Sequence, residues 1–194
     1  MRHATKQATL TERGTWILRS LAEWRARRRD VLPREWKTGA PILFRGRELA
    51  LAVHTARTRE IATDLLNLTV RHPGGEDERQ VAAFVARWLR EEALRQLHPR
   101  VTEYAARITS TIPVVKLSNA RSEWGSCNQK GVIRLNWRLV QLPPDLALYI
   151  VAHEVAHLVE LNHSARFWSV VEGLFPGSSA ARLALDDWTA LLEA

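Results

Sequence analysis

His153-Glu154-Val155-Ala156-His157 sets two imidazoles and a carboxylate within one short stretch, and His163 follows shortly after. On an α-helix, residues 153 and 157 lie about 40° apart around the axis and about 6 Å apart along it. Both rings can therefore reach a single cation. Glu154 projects beside them, suited to accepting a proton from water on the ion rather than to ligating it. With His163 as a third ligand the fourth position stays open for water, which is the arrangement of a catalytic rather than a structural zinc site. The expected metal ligands are His153, His157 and His163, the expected cofactor is Zn2+, and the expected general base is Glu154.

His163 can join only if the chain turns back. In a continuous helix it would sit about 15 Å along the axis from His153. Asn162 is predicted to end the helix in a left-handed conformation, and Ser164 to cap the next one. The competing reading is two satisfied core histidines beside a buried carboxylate. The helix is apolar almost all round, however, and side chains of that kind need polar partners when buried. A metal supplies one.

The elements that must position these residues are legible in the spacing. Trp16, Ile17, Leu21 and Trp24 predict an amphipathic helix from Thr11 to about Arg29 with a basic outer face, after a polar tail over residues 1–10. Leu32 to Pro41 reads as a connector. Pro41 to Phe44, Glu48 to His54 and Leu66 to Arg71 read as strands, with Arg45-Gly46-Arg47 as a turn. A long helix begins near Glu76, is interrupted or kinked at Pro99, and carries Val81, Phe84, Val85, Trp88, Val101, Tyr104, Ala105 and Ile108 on its face. Strands over Pro113 to Leu117 and Val132 to Trp137 flank a loop with Trp124-Gly125-Ser126-Cys127. Pro143-Pro144-Asp145 starts the helix of the histidine pair. Ser164, and Ser178 or Ser179, cap two closing helices around Pro176-Gly177. The fold class is α+β, with an amino-terminal segment over residues 1–39 and a hydrolase domain over 40–194.

Composition bounds the rest. Apolar residues make up 46% of the 194 and charged residues 25%, which excludes wholesale disorder. The single cysteine, Cys127, excludes an intramolecular disulfide. The sequence shows no basic-then-apolar leader, and its longest apolar run, Leu146 to Ala152, is far short of a bilayer span. The expectation is a cytoplasmic protein with no membrane partner. The net charge of +7 is uneven: residues 1–60 hold 14 Lys/Arg against 6 Asp/Glu, whereas residues 145–194 hold 2 against 7. The cluster Arg25, Arg27, Arg28 and Arg29 reads as a solvated helix face or as a nucleic-acid contact.

Other side chains have two readings each. Cys127 is a buried loop thiol or, in its functional reading, a fourth ligand or a nucleophile. Arg121 and Tyr149 are candidate oxyanion stabilisers. Phe167 and Trp168 read as core, and Trp124 and Trp137 as packing or pocket walls. Asp186 or Asp187 could orient a ligand imidazole from outside, or be exposed helix charge. His54, His72 and His98 have no motif around them.

The residues His153 to His157, Asn162-His163-Ser164 and Phe167-Trp168, with Trp124-Gly125-Ser126-Cys127, Leu135-Asn136-Trp137-Arg138-Leu139 and Leu43-Phe44-Arg45-Gly46-Arg47, resemble the YgjP-like metallopeptidase family, related to SprT-type and other zincins. The resemblance covers roughly residues 15–190. It implies a zincin-like α+β fold, a small antiparallel sheet packed on helices, and the ligand and base roles given above. The spacing to His163 is that of metzincins, but Glu160 stands at their turn glycine, and the only methionine is Met1, so their Met-turn is absent. The helix is therefore expected to run somewhat longer before turning. Glu123 stands where the family often has a basic residue before the tryptophan.

Three functions follow as expectations. The first is zinc-dependent peptide hydrolysis, with Glu154 taking a proton from zinc-activated water and returning it to the leaving group. The second is metal-dependent hydrolysis of a nucleotide phosphoanhydride, an activity linked to relatives within the resembled family. The third is nucleic-acid binding through the basic amino-terminal helix, with a vestigial metal site.

Overall fold

The Arg45-Gly46 turn shows how local sequence builds this architecture. Both residues have positive φ, 51° and 74°, the conformation that a two-residue hairpin needs to match the twist of its strands. It joins β1 (Pro41–Phe44) to β2 (Arg47–Thr55) as an antiparallel pair. The structure is a computed structural model that describes residues 35–75 and 77–189. The expected tail, the basic helix and the first residues of the connector lie outside the described residues.

Two small sheets carry the strands. In the first, β3 (Glu60–Thr63) and β4 (Asn67–His72) complete the order β1-β2-β4-β3. In the second, β5 (Val114–Ser118), β6 (Gly125–Cys127) and β7 (Val132–Asn136) stand in the order β5-β7-β6. The expected antiparallel sheet is corrected here, because both sheets are mixed: β2 pairs with β4 in parallel, and β5 with β7. In each sheet a strand is followed by a hairpin, and the hairpin's second strand returns to the centre. That second strand is antiparallel to its hairpin mate and parallel to the earlier strand. The central strands are the most enclosed, with Leu68, Val70, Ile133 and Leu135 fully buried.

Helix α1 (Glu78–Ala105) starts at Asp77, whose carboxylate accepts from the amides of Arg79 and Gln80. Val81, Val85, Leu89, Ala93, Leu97, Val101 and Ala105 form one buried stripe at four-residue spacing. Pro99 lies inside the helix without ending it. After β7, Trp137–Gln141 winds as a short 3-10 segment with every residue buried. Helix α2 (Pro144–Ala156) opens with proline in its first position and Asp145 in its first turn, as the sequence predicts. Helices α3 (Ala165–Leu174) and α4 (Ser178–Leu185) close the fold, followed by a 3-10 turn over Asp186–Trp188.

Helix α2 sits at the centre, packed on α1, α3, α4 and the second sheet. The first hairpin fixes its start. Arg45 N–H donates to Val140 O and Gly46 N–H to Gln141 O, both at 2.9 Å. A Cβ on Gly46 would come within 2.8–2.9 Å of Pro143, so only glycine lets the turn seat there. The α+β expectation with an HExxH helix is met. Among the described residues, no helix is long and apolar enough to cross a membrane.

Candidate metal centre

Helix α2 ends at Ala156, with His157 as its C-cap, earlier than expected. The exit uses tight amide bonds rather than a left-handed residue: Leu158 N–H reaches Val155 O, and Val159 and Glu160 N–H both reach Ala156 O. Asn162 has no positive φ, so the expected left-handed stop is corrected; Arg45 is the only such non-glycine among the described residues. Ser164 does cap α3, its Oγ accepting from Phe167 N–H at 3.2 Å. The turn-back brings His163 to the pair. One ring nitrogen from each of His153, His157 and His163 lies within 4.8 Å of the others.

The finer geometry suits a cation. Nε2 of His153 and Nε2 of His163 stand 3.0 Å apart, close to the roughly 3.3 Å that two ligands at about 2.0 Å subtend at a tetrahedral ion. His157 Nδ1 lies 3.1 Å from Glu160 O. With Nδ1 donating to that carbonyl, Nε2 keeps its lone pair for a metal. Phe167, fully buried, packs its ring 4.6–4.9 Å from all three imidazoles and forms the wall behind them. Trp168 stacks on His163 at 5.8 Å, 23° from parallel.

Glu154 is 5% exposed, and its Oε2 is enclosed with no hydrogen-bond partner. Its carboxyl lies against the backbone of β6: a Cβ added to Gly125 would come 2.6 Å from Glu154 Cγ. Burial, reinforced by the charge of Glu123, raises its pKa from 4.5 to about 8. Burial, with His157, His163 and Arg182 adding to it, lowers His153 from 6.5 to about 4. His157 is also lowered, mainly by burial, against the opposing bond to Glu160. Neutral imidazoles are what metal ligation needs. Three ring nitrogens at this separation could hold one metal ion, and a cation there would return the neighbouring Glu154 carboxyl to its charged form.

The remaining candidates sort by position. Tyr149, one turn before His153 on α2, sets its ring edge-on 6.2 Å from that imidazole, and burial raises its phenol pKa. Arg121 is exposed in the loop, and no contact ties it to the cluster. Cys127 stays outside the three-histidine group, its thiol pushed up to about 11 by burial and then by Glu154. Trp137 lies between Arg90 and Arg138, with its Nε1–H donating to Asn119 Oδ1 at 2.7 Å, so it anchors the loop rather than lining a pocket. Trp124 is buried. His153 Nδ1 has no hydrogen-bond partner, so neither Asp186 nor Asp187 orients it.

Gly125 and Ser126 were expected to allow a tight loop near the metal; Gly125 does lie against Glu154, through a contact made when β6 pairs with β7. Sequence reasoning missed one contributor. Arg182 stacks over Trp168 at 4.9 Å, and its charge reaches His153 and Tyr149. The four-residue spacings from Trp168 to Glu172 and from Ser178 to Arg182 hint at such a pairing only once α3 and α4 are known to be neighbours.

A family model described as YgjP-like, metallopeptidase domain, matches residues 1–187. No curated protein matches the chain. Among solved structures, the metallopeptidase zymogen of Pyrococcus abyssi abylysin is similar, at 24% identity over 52% of this chain and 95% of that chain, with a TM-score of 0.42.

Proposed function

The chain belongs to the YgjP-like metallopeptidase family, and from that premise we propose that it is a zinc-dependent peptidase whose metal is held by His153, His157 and His163, with Glu154 as general base. That it is a metal-dependent hydrolase of the metallopeptidase type follows from the family. The metal's identity, the residue roles and the peptide substrate are the proposal. One observation carries it: three imidazole nitrogens within 4.8 Å of one another, beside an enclosed carboxyl.

A bound zinc ion supplies Lewis acidity, bringing the pKa of water to about 7 and polarising the attacked carbonyl. The chain's own residues do the rest. Glu154 takes the proton of the attacking water and returns it to the departing amine nitrogen. Gly125 lets the β6 backbone close over that carboxyl and keep it from bulk water. Phe167 and the Glu160 carbonyl hold the imidazole rings in register. Tyr149, whose phenol burial keeps protonated, is the oxyanion donor candidate beside His153.

The test is Glu154→Gln in zinc-loaded protein, assayed against a peptide library and a nucleoside triphosphate panel in parallel. The expected result is peptide cleavage that falls at least about a hundredfold in the variant, the scale of lost general-base catalysis, with zinc still bound. Retained peptide turnover in the variant, or cleavage confined to the nucleotides, would contradict the reading.

A further inference from the structure

Side chains of α3 and α4 meet at two rungs across the corner between the helices. At one rung the Glu172 carboxylate accepts from Gly177 N–H at 2.9 Å, Ser178 N–H at 3.1 Å and Ser178 Oγ–H at 2.7 Å. These bonds cap α4 from its neighbour and fix the corner. One turn away on each helix, the next rung is Trp168 against Arg182, whose guanidinium lies 4.9 Å over the indole ring. The indole in turn stacks on His163. Guanidinium, indole and imidazole therefore stand in series, and the outermost member is exposed.

Resting on the metal-site reading above, we propose that Arg182 is a specificity-determining residue that binds a carboxylate of the substrate beside the metal centre. A guanidinium stacked on an aromatic face is held flat, with its N–H edge free for a planar anion. Arg182 forms no ion pair or hydrogen bond with another described residue. Asp186, one turn further along, is close enough to oppose Arg182 at Tyr149, yet it makes no ion pair with it. The indole links the guanidinium to the cluster, 4.9 Å from Arg182 on one contact and 5.8 Å from the His163 ring on the other, so an anion seated on Arg182 lies beside the three imidazoles. A stack that served packing alone would need only the side chain's apolar stem.

The carboxylate has two sources, the carboxy terminus of a peptide or an acidic side chain, and matched probes separate them. One pair is acetylated tetra-alanine with a free or an amidated carboxy terminus. The other is an amidated peptide carrying Glu or its Gln counterpart at one position. Binding of all four to zinc-loaded Glu154→Gln protein is followed through the indole Nε1–H resonance of Trp168, independently of turnover. In at least one pair the carboxylate member should bind about tenfold tighter, the worth of one charge-assisted hydrogen-bonded contact, and the pair that discriminates names the source. Adding Arg182→Gln should bring that ratio to about one. Arg182→Met, which keeps a stem over the indole, should do the same and guards against lost packing. Equal binding within both pairs would overturn the proposal. So would a ratio that survives the loss of Arg182, since the metal itself would then be the anion's partner. Retained turnover in Glu154→Gln would count against the general-base reading without altering these ratios, because each pair differs only in a carboxylate.

Discussion

At the level of single residues, Glu154 and His153 pull the metal-free protein in opposite directions as pH changes. Glu154 holds its proton more tightly folded, about 8 against 4.5, so its contribution to stability is full below pH 4.5 and is lost as pH rises to about 8. His153 binds its proton less tightly folded, about 4 against 6.5, so stability rises with pH across that range, and His157 adds to the rise. The two trends offset each other between 4.5 and 6.5. From 6.5 to 8 Glu154 acts alone among groups with a displaced pKa, for a decline of up to about 2 kcal/mol at 1.4 kcal/mol per unit. Urea unfolding of the metal-free protein should show that decline and Glu154→Gln should abolish it; a flat profile in the unaltered chain would mean that the carboxyl is not enclosed. Gly125→Ala is the complementary test. Its methyl would come within 2.6–2.8 Å of the Glu154 side chain, so the carboxyl must shift. The expected outcome is a fall in kcat of about a hundredfold, the cost of misplacing a catalytic group by an ångström or so, with zinc affinity unchanged. Unchanged kcat would show that β6 does not position the base. The histidine pair and Glu154 were legible in the sequence because helical spacing alone brings them together. Arg182 was not, and of Gly125 only its place in a loop near the site was, since each acts through a partner distant in the chain.

At the level of elements, the segment from His157 to Ser164 decides whether His163 can join the pair. The sequence pointed to a turn there and to Ser164 as the cap, and both are present. The manner of the stop was not legible. A helix can be released by shortened amide bonds as readily as by a left-handed residue, and Leu158, Val159 and Glu160 carry no mark of that choice. Ser164→Ala removes the acceptor for Phe167 N–H, which should cost about 1 kcal/mol and loosen the approach of His163. Zinc affinity should fall about tenfold, since a group that holds a ligand in place typically counts for ten to a hundredfold. Competition titration against a chelator measures it, and an unchanged affinity would place the support for His163 elsewhere. Strands β1, β2, β4, β5 and β7 were visible as apolar runs bounded by turn residues. Strands β3 and β6 were not: Glu60–Thr63 and Gly125–Cys127 are short edge strands whose residues fit a sheet only through pairing.

At the level of the whole molecule, two sheets share the same three-strand logic, and the second of them packs on the central helix α2. The first sheet's hairpin seats the start of that helix, and the second sheet covers its Glu154 face. Strand direction was the feature least available to sequence reasoning, because apolar alternation reports which face is buried and not which way a neighbour runs. The charge distribution belongs to this scale as well. Residues 145–194 are acidic, at 2 Lys/Arg against 7 Asp/Glu, while the chain as a whole is basic. The three histidines of the proposed cation site lie in the acidic part of the chain, and Arg182 is one of only two Lys/Arg there. The claim on which the account depends is that three imidazoles from α2 and its following turn bind one ion. X-ray absorption at the zinc edge of the loaded protein tests it most directly. Three imidazole nitrogens and one oxygen are expected, all at about 2.0–2.1 Å. A sulfur ligand at about 2.3 Å, or fewer than three imidazoles in the shell, would contradict it.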